Sequence, residues 1–150
     1  MNTNMTYEYP VLLTLDEVDG GYTVQFPDLP EAITQGDSIE HALQEARDAL
    51  DEAIANRIVT KQVIPSASAG ACMVPVPAGT ALKAAFYSAV TERKLSQVVL
   101  AAELGVDERE VRRLVDPYHP TKLNRIEEFL GILHARMFTK CLRPRRTPIK

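Results

Sequence analysis

Period-two alternation of apolar side chains is confined to the first 79 residues of this 150-residue chain, and no later segment shows it. That asymmetry excludes an all-helical bundle, an all-β sandwich and a repeated βα layer. Tyr7, Tyr9, Val11, Leu13 and Leu15 alternate with Glu8, Pro10, Leu12 and Thr14, the pattern of a strand with some apolar character on both faces. Pro10 near its start predicts an edge position or an unpaired N–H. Asp19-Gly20-Gly21 marks a tight turn, because glycine tolerates the positive φ that hairpins need. Tyr22, Val24 and Phe26 then alternate with Thr23 and Gln25 as the returning strand. Phe26-Pro27-Asp28-Leu29-Pro30 ends it, since neither proline can donate to a ladder.

Gly36-Asp37-Ser38 leads into a helix with Ser38 as N-cap. Ile39, Ala42, Leu43, Ala46, Leu50, Ala53 and Ile54 form its apolar stripe, and Glu40, Glu45, Asp48, Asp51 and Glu52 occupy the remainder. Pro65 to Gly70 is a loop of small and breaker residues, and Cys72 to Val76 is a short third strand. The first unit, residues 1–79, is therefore expected to be β-β-α-β, with the helix covering one sheet face. Its boundary falls at Pro77-Ala78-Gly79.

From Thr80 the chain reads as helix. Leu82, Ala85, Phe86, Ala89 and Val90 make one stripe. Ser96 caps a helix over Gln97–Glu103, with Val98, Val99, Leu100 and Ala102 available for burial. Gly105 suits a left-handed C-cap. Asp107 to Glu110 resembles a capping box, with Asp107 as cap and Glu110 reaching back. The next helix stops at Asp116-Pro117. A longer one follows, with Leu123, Ile126, Phe129, Leu130 and Leu133 on one face. Two short helices joined by a glycine-containing turn make a helix-turn-helix, expected within an all-α unit over residues 80–138. Residues 139–150 read as a basic, mobile tail. The fold class is α+β followed by all-α.

Charge divides at the same boundary. Residues 1–79 carry twelve acidic and three basic side chains, a net of −9, whereas residues 80–150 carry fourteen basic and eight acidic, a net of +6. The acidic half repels nucleic acid and attracts a basic protein, and the basic half suits nucleic acid. In the helix-turn-helix the second helix projects Arg109, Arg112 and Arg113 to one side while Val111 and Leu114 turn inward. Arginine forks match guanine edges and phosphate oxygens. Ser96 and Gln97, at the start of the bracing helix, are placed for a backbone phosphate. His119, Thr121 and Lys122 lie just past the reading helix. The competing reading is an ordinary helical hairpin with a solvated basic face. A monomer would bind weakly, so an oligomer reading two half-sites is expected.

Other chemistries have weaker support. Asp16, Glu17 and Asp19 cluster near a turn, and clustered carboxylates can hold magnesium, yet carboxylates flanking a Gly-Gly turn are ordinarily solvated. His41, His119 and His134 share no ligand spacing, and Cys72 and Cys141 read as reduced thiols. No nucleophile elbow, phosphate loop or dinucleotide fingerprint occurs, so no catalytic residue, metal or cofactor is assigned. Tyr7, Tyr9, Tyr22 and Phe26 fit packing better than base stacking. Met1 to Met5 lacks a signal peptide's basic and apolar regions, and no apolar run spans a membrane, so a cytoplasmic protein is expected.

Tyr9-Pro10-Val11, Gly21-Tyr22-Thr23-Val24, Phe26 to Pro30 and Thr34 to Ser38, followed by an Ala/Glu-rich helix, resemble the HicB family of antitoxins. Leu104-Gly105-Val106, Arg112 to Pro117 and His119 to Leu123 look like the helix-turn-helix of one branch of that family. The resemblance covers roughly residues 7–137. It departs at Glu31, where the family commonly has glycine, and in the tail after Met137. It implies a truncated ribonuclease-H-like N-terminal domain without nuclease activity. That domain would bind and block a small basic mRNA-cleaving toxin (HicA-like). The C-terminal domain would dimerise and bind the operator of its own operon, with further association to tetramers. Asp28, Glu31, Glu45, Asp48 and Glu52 are then the candidate toxin contacts. The alternative is a one-component repressor whose N-terminal domain senses a small ligand.

Overall fold

The computed structural model describes residues 7–142, with side chains placed to His134. Its strands are β1 (Glu8–Pro10), β2 (Leu12–Leu15), β3 (Tyr22–Gln25), β4 (Ile33–Gly36) and β5 (Met73–Pro75). Its helices are α1 (Ile39–Val59), α2 (Ala78–Glu92), α3 (Gln97–Leu104), α4 (Glu108–Val115) and α5 (Leu123–Leu142). The fold is α+β with an all-helical second half, as the periodicity requires.

The expected first strand is divided at Val11. β1 pairs antiparallel with β5, Tyr9 opposite Val74, while β2 pairs antiparallel with β3, Leu13 opposite Val24. Val11 still donates its N–H to Cys72 O at 3.0 Å, so one bent segment serves two partners. β1 pairs with β5 alone, so Pro10 does sit in an edge strand, although the residue itself is buried. Gly20 and Gly21 take φ of 67° and 105°, as the hairpin turn demands.

A strand that alternation did not announce, β4, pairs with β3 and completes the β2-β3-β4 meander. It holds one large apolar residue, Ile33, so its sequence carries little strand signal and cross-strand pairing decides it. Gly36 lets α1 close over it: a Cβ there would lie 2.3 Å from the backbone N of Ala42. Ser38 caps α1, its hydroxyl accepting from His41 N–H at 3.1 Å. Ala42, Ala46, Leu50 and Ile54 pack under the sheet against Tyr9, Val24, Phe26 and Leu29. Ile39, expected in the stripe, is exposed.

The boundary expected at residues 77–79 lies at the start of α2, whose first residue is Ala78. This helix belongs to both cores. Ala84 is fully buried in the first, and Phe86 is fully buried in the second with Leu100, Val111, Leu114, Ile126, Phe129 and Leu133. Val98, Val99 and Ala102 are exposed, contrary to expectation, and Leu100, Ala101 and Leu104 provide the buried face of α3. Leu123 is likewise exposed. Residues 139–142, expected to begin the tail, fall within α5, and the remainder of the tail lies outside the described residues.

Candidate interaction surfaces

The helix-turn-helix is built by local rules. Ser96 caps α3, its Oγ accepting from Val99 N–H at 3.2 Å. Gly105 ends α3 in the left-handed region with φ 69°. Asp107 caps α4, its Oδ1 accepting from Glu110 N–H at 2.8 Å. The second half of the capping box is absent among the described hydrogen bonds. Glu110 instead accepts from Arg125 Nη2 at 2.9 Å, joining α4 to α5. A charged donor on a neighbouring helix outcompetes the neutral N–H for that carboxylate.

Val111 and Leu114 are buried, and Arg109, Arg112 and Arg113 are exposed, as their spacing requires. The three border two separate depressions. Arg109 and Arg113 line a depression of about 550 Å3 between α4 and the start of α5, together with Lys122 and Arg125. Arg112 lines a different cleft, beside Gln97 and Lys94. Arg109, Arg113 and Lys122 make no ion pair among the described residues. Arg125 does, with Glu110 and Glu128, and its guanidinium lies 4.5 Å from the Phe129 ring centroid. Spacing had not singled out Arg125, and its partners commit it to holding α5 on α4.

Thr121 is half-buried: its hydroxyl accepts from Lys83 Nζ at 2.8 Å, and the residue also lines the depression that holds Arg109, Arg113 and Lys122. Ser96 and Gln97 are exposed at the head of α3, and Lys122 is exposed. Lys83 was missed altogether because a lysine reads as surface. Burial pushes its ammonium down to about 8, with the Asp116 carboxylate partly opposing the shift.

The five acidic candidates in the N-terminal unit split into two groups. Asp28 and Glu31 hold loops. Asp28 accepts from Ser68 N–H at 2.8 Å and from Ser68 Oγ at 2.6 Å, which pins the breaker-rich loop. Glu31 pairs with Arg57, whose guanidinium holds its carboxyl below the usual range and which also donates to Val63 O at 2.8 Å. On α1, Glu52 accepts from Tyr118 O–H at 2.8 Å and so faces the helical unit. Glu45 Oε1 lies 3.5 Å from His41 Nε2, and Asp48 is exposed.

A further surface was not legible without β4. Leu12, Gln25 and Ile33 stand side by side across the meander on the face away from α1. Leu12 and Ile33 are 57% and 58% exposed, and Pro27 and Pro30 border them. Leu12 and Ile33 flank Gln25 on an open sheet face, and exposed apolar side chains gathered in this way mark a protein-binding surface more than scattered ones do.

Between the two units lies a mainly apolar cleft of about 810 Å3, lined by Val59, Tyr87, Val90, Leu95, Val115 and Tyr118, with Lys61, Lys94 and Arg112 also in its lining. Tyr87 O–H donates to Gln62 O at 2.8 Å across the same junction. Asp16, considered for magnesium, accepts from the N–H groups of Val18 and Asp19 and thereby shapes the hairpin turn. Those bonds hold its carboxyl below the ordinary value. Among the described residues no helix is long and apolar enough to cross a membrane.

Comparison with known proteins adds an independent line. Residues 8–85 match the family described as HicB-like antitoxin of bacterial toxin-antitoxin systems. The chain is 42% identical over 120 residues to Antitoxin HicB 1 of Photorhabdus laumondii, covering 79% of this chain and 76% of that protein. It is 38% identical over 134 residues to Antitoxin HicB 2 of the same organism, covering 89% and 94%. With Antitoxin HicB of Escherichia coli K12 it shares 34% over 122 residues, covering 79% and 88%.

Proposed function

This chain belongs to the HicB-like antitoxin family of bacterial toxin-antitoxin systems, and from that premise we propose that it is a cytoplasmic antitoxin that also represses its own operon. The N-terminal unit occludes a small basic ribonuclease of the HicA-like kind. The helical unit binds operator DNA as a homodimer, with tetramers formed by further association. No catalytic step is assigned to the chain.

One observation carries the DNA reading: Arg109, Arg113 and Lys122 border one depression and their side chains have no partner among the described residues, while neighbouring Arg125 is paired. Cations without internal partners are available to phosphates and base edges. Ser96 and Gln97 flank that helix at the head of α3, and Arg112 extends the cationic edge toward them. For the toxin, Asp48 is the acidic candidate without an internal partner among the described residues, whereas Glu45 lies 3.5 Å from His41 Nε2 and Asp28, Glu31 and Glu52 hold other internal partners. The open face with Leu12 and Ile33 supplies the apolar part of that surface.

Co-expression with the small protein encoded beside this gene tests the reading. Toxicity of the neighbour alone, its suppression by this chain and co-purification of the two would support it. Absence of both toxicity and complex would overturn it. The cleft between the units favours the alternative of a ligand-sensing repressor. A repressor with no toxic neighbour whose operator affinity changes with a small apolar anion would establish that alternative instead.

A further inference from the structure

A helix that ends before proline loses a backbone donor. In α4 the carbonyl of Arg112 is closed by Asp116 N–H at 3.2 Å. The next carbonyl, that of Arg113, would take the N–H four residues on, which is position 117. Pro117 has none. Lys83 Nζ fills the vacancy from α2, donating to Arg113 O at 2.8 Å. The same ammonium donates to Thr121 Oγ1 at 2.8 Å, and Thr121 stands next to Lys122. Lys83 is only 4% exposed, and Ala84 beside it is fully buried in the N-terminal core.

We propose that Lys83 is the positioning residue of the DNA-reading surface: one buried ammonium replaces the donor lost at Pro117 and holds the end of α4 and the His119–Lys122 segment in register on α2. The proposal rests on the DNA reading above and deepens it. The geometry explains why a residue costly to bury sits at the junction of the two cores. Apolar residues of the same length would pack there at lower cost, but none could close Arg113 O or hold Thr121. The positive charge also lies at the C-terminal end of α4, where the helix dipole favours it. Lys83 itself is enclosed and cannot reach a phosphate.

The test compares the full chain with Lys83→Met on a labelled fragment of its own promoter, across a salt series. The expected result is a roughly tenfold loss of affinity, the scale of one lost charge-assisted hydrogen bond. The slope of log K against log salt should stay unchanged, because no phosphate contact is removed. The thermal midpoint should change little, since loss of a buried charge is offset by the Arg113 carbonyl left unclosed. Unchanged affinity overturns the proposal, and so does a slope reduced by about one, which would make Lys83 a direct phosphate contact. Adding Pro117→Ala to Lys83→Met returns a backbone donor to position 117 and should recover part of the affinity. If Lys83→Met does not fold, Thr121→Val against Thr121→Ser carries the test: loss with valine and retention with serine is required. Failure of the unaltered chain to bind its promoter overturns the DNA reading instead. The positioning role is then decided by amide exchange, which Lys83→Met must accelerate at residues 114–122 while leaving α1 unchanged.

Discussion

Arg93 and Glu103 close a two-point ion pair, at 3.0 and 3.1 Å, between the end of α2 and the bracing helix α3. Their side chains are 10% and 16% exposed, so this pair is shielded from solvent, unlike Arg125 with Glu128 on the surface. Glu103→Ala should therefore strand a guanidinium in a largely dry site and lower unfolding free energy by roughly 3 kcal/mol. Chemical denaturation measures this. A loss below about 1 kcal/mol, the scale of an exposed pair, would show that the site is wet.

Lys83 makes stability depend on alkaline pH in a definite direction. Its folded value is about 8 and its ordinary value 10.5. Between these the unfolded chain holds more protons than the folded one, so stability from this group rises with pH. Below pH 8 both states are charged and the cost of burial is present in full. The expected gain from pH 8 to 10.5, taken as wild type minus Lys83→Met so that other groups cancel, is at most roughly 3 kcal/mol. A flat difference would show that the ammonium is hydrated in the fold.

Two glycines should respond in opposite directions. Gly36→Ala places a Cβ against the backbone N of Ala42 at 2.3 Å, where nothing flexible can yield, and should cost about 3 kcal/mol or prevent folding. Gly131 lies inside α5, and an added Cβ meets nothing within 4 Å. Gly131→Ala should stabilise by roughly 0.5–1 kcal/mol through backbone entropy and helix propensity. Thermal midpoints that moved the same way would contradict this account.

Arg113 and Lys122 border the same depression but should differ in what they report. If Arg113 reads a base, Arg113→Ala weakens operator binding by about 1–3 kcal/mol and relaxes specificity at one position. Lys122→Ala, lacking a phosphate contact, weakens all sequences alike and lowers the salt slope by about one. Anisotropy titrations on operator and scrambled DNA separate the two. Arg125→Ala should act mainly on stability, because Glu110 already holds that side chain.

The open face of the meander gives the toxin-side prediction. Leu12→Glu with Ile33→Glu should leave the fold intact, both residues being exposed, and should reduce toxin binding by at least tenfold. Asp48→Lys tests the acidic helix separately and should slow association more than it speeds release. Calorimetry and stopped-flow mixing with the purified toxin distinguish these. Wild-type affinity in the Leu12/Ile33 variant would place the toxin on α1 alone.

What could be read from the sequence rests on interactions spanning about four residues. Ser38, Ser96 and Asp107 cap helices through their own backbones, Gly105 ends α3, and the glycine pair turns the hairpin. Each outcome depends on neighbours in the chain, so spacing alone determined it. The burial of Val111 and Leu114 and the exposure of the three arginines followed from helical period in the same way. The charge division, too, was complete before folding.

Tertiary structure decided what depends on partners far along the chain. β4 exists because β3 pairs with it, although only Ile33 in it carries apolar weight. Glu110 left its capping role for Arg125, fifteen positions away, and Thr121 turned inward to Lys83, thirty-eight positions away. Asp28 and Glu31 were claimed by Ser68 and Arg57. A polar side chain goes to the strongest partner within reach, and reach is a property of the fold. The sequence by itself determined where helices, turns and charges lie. Only packing determined which of those charges remain free to meet another molecule.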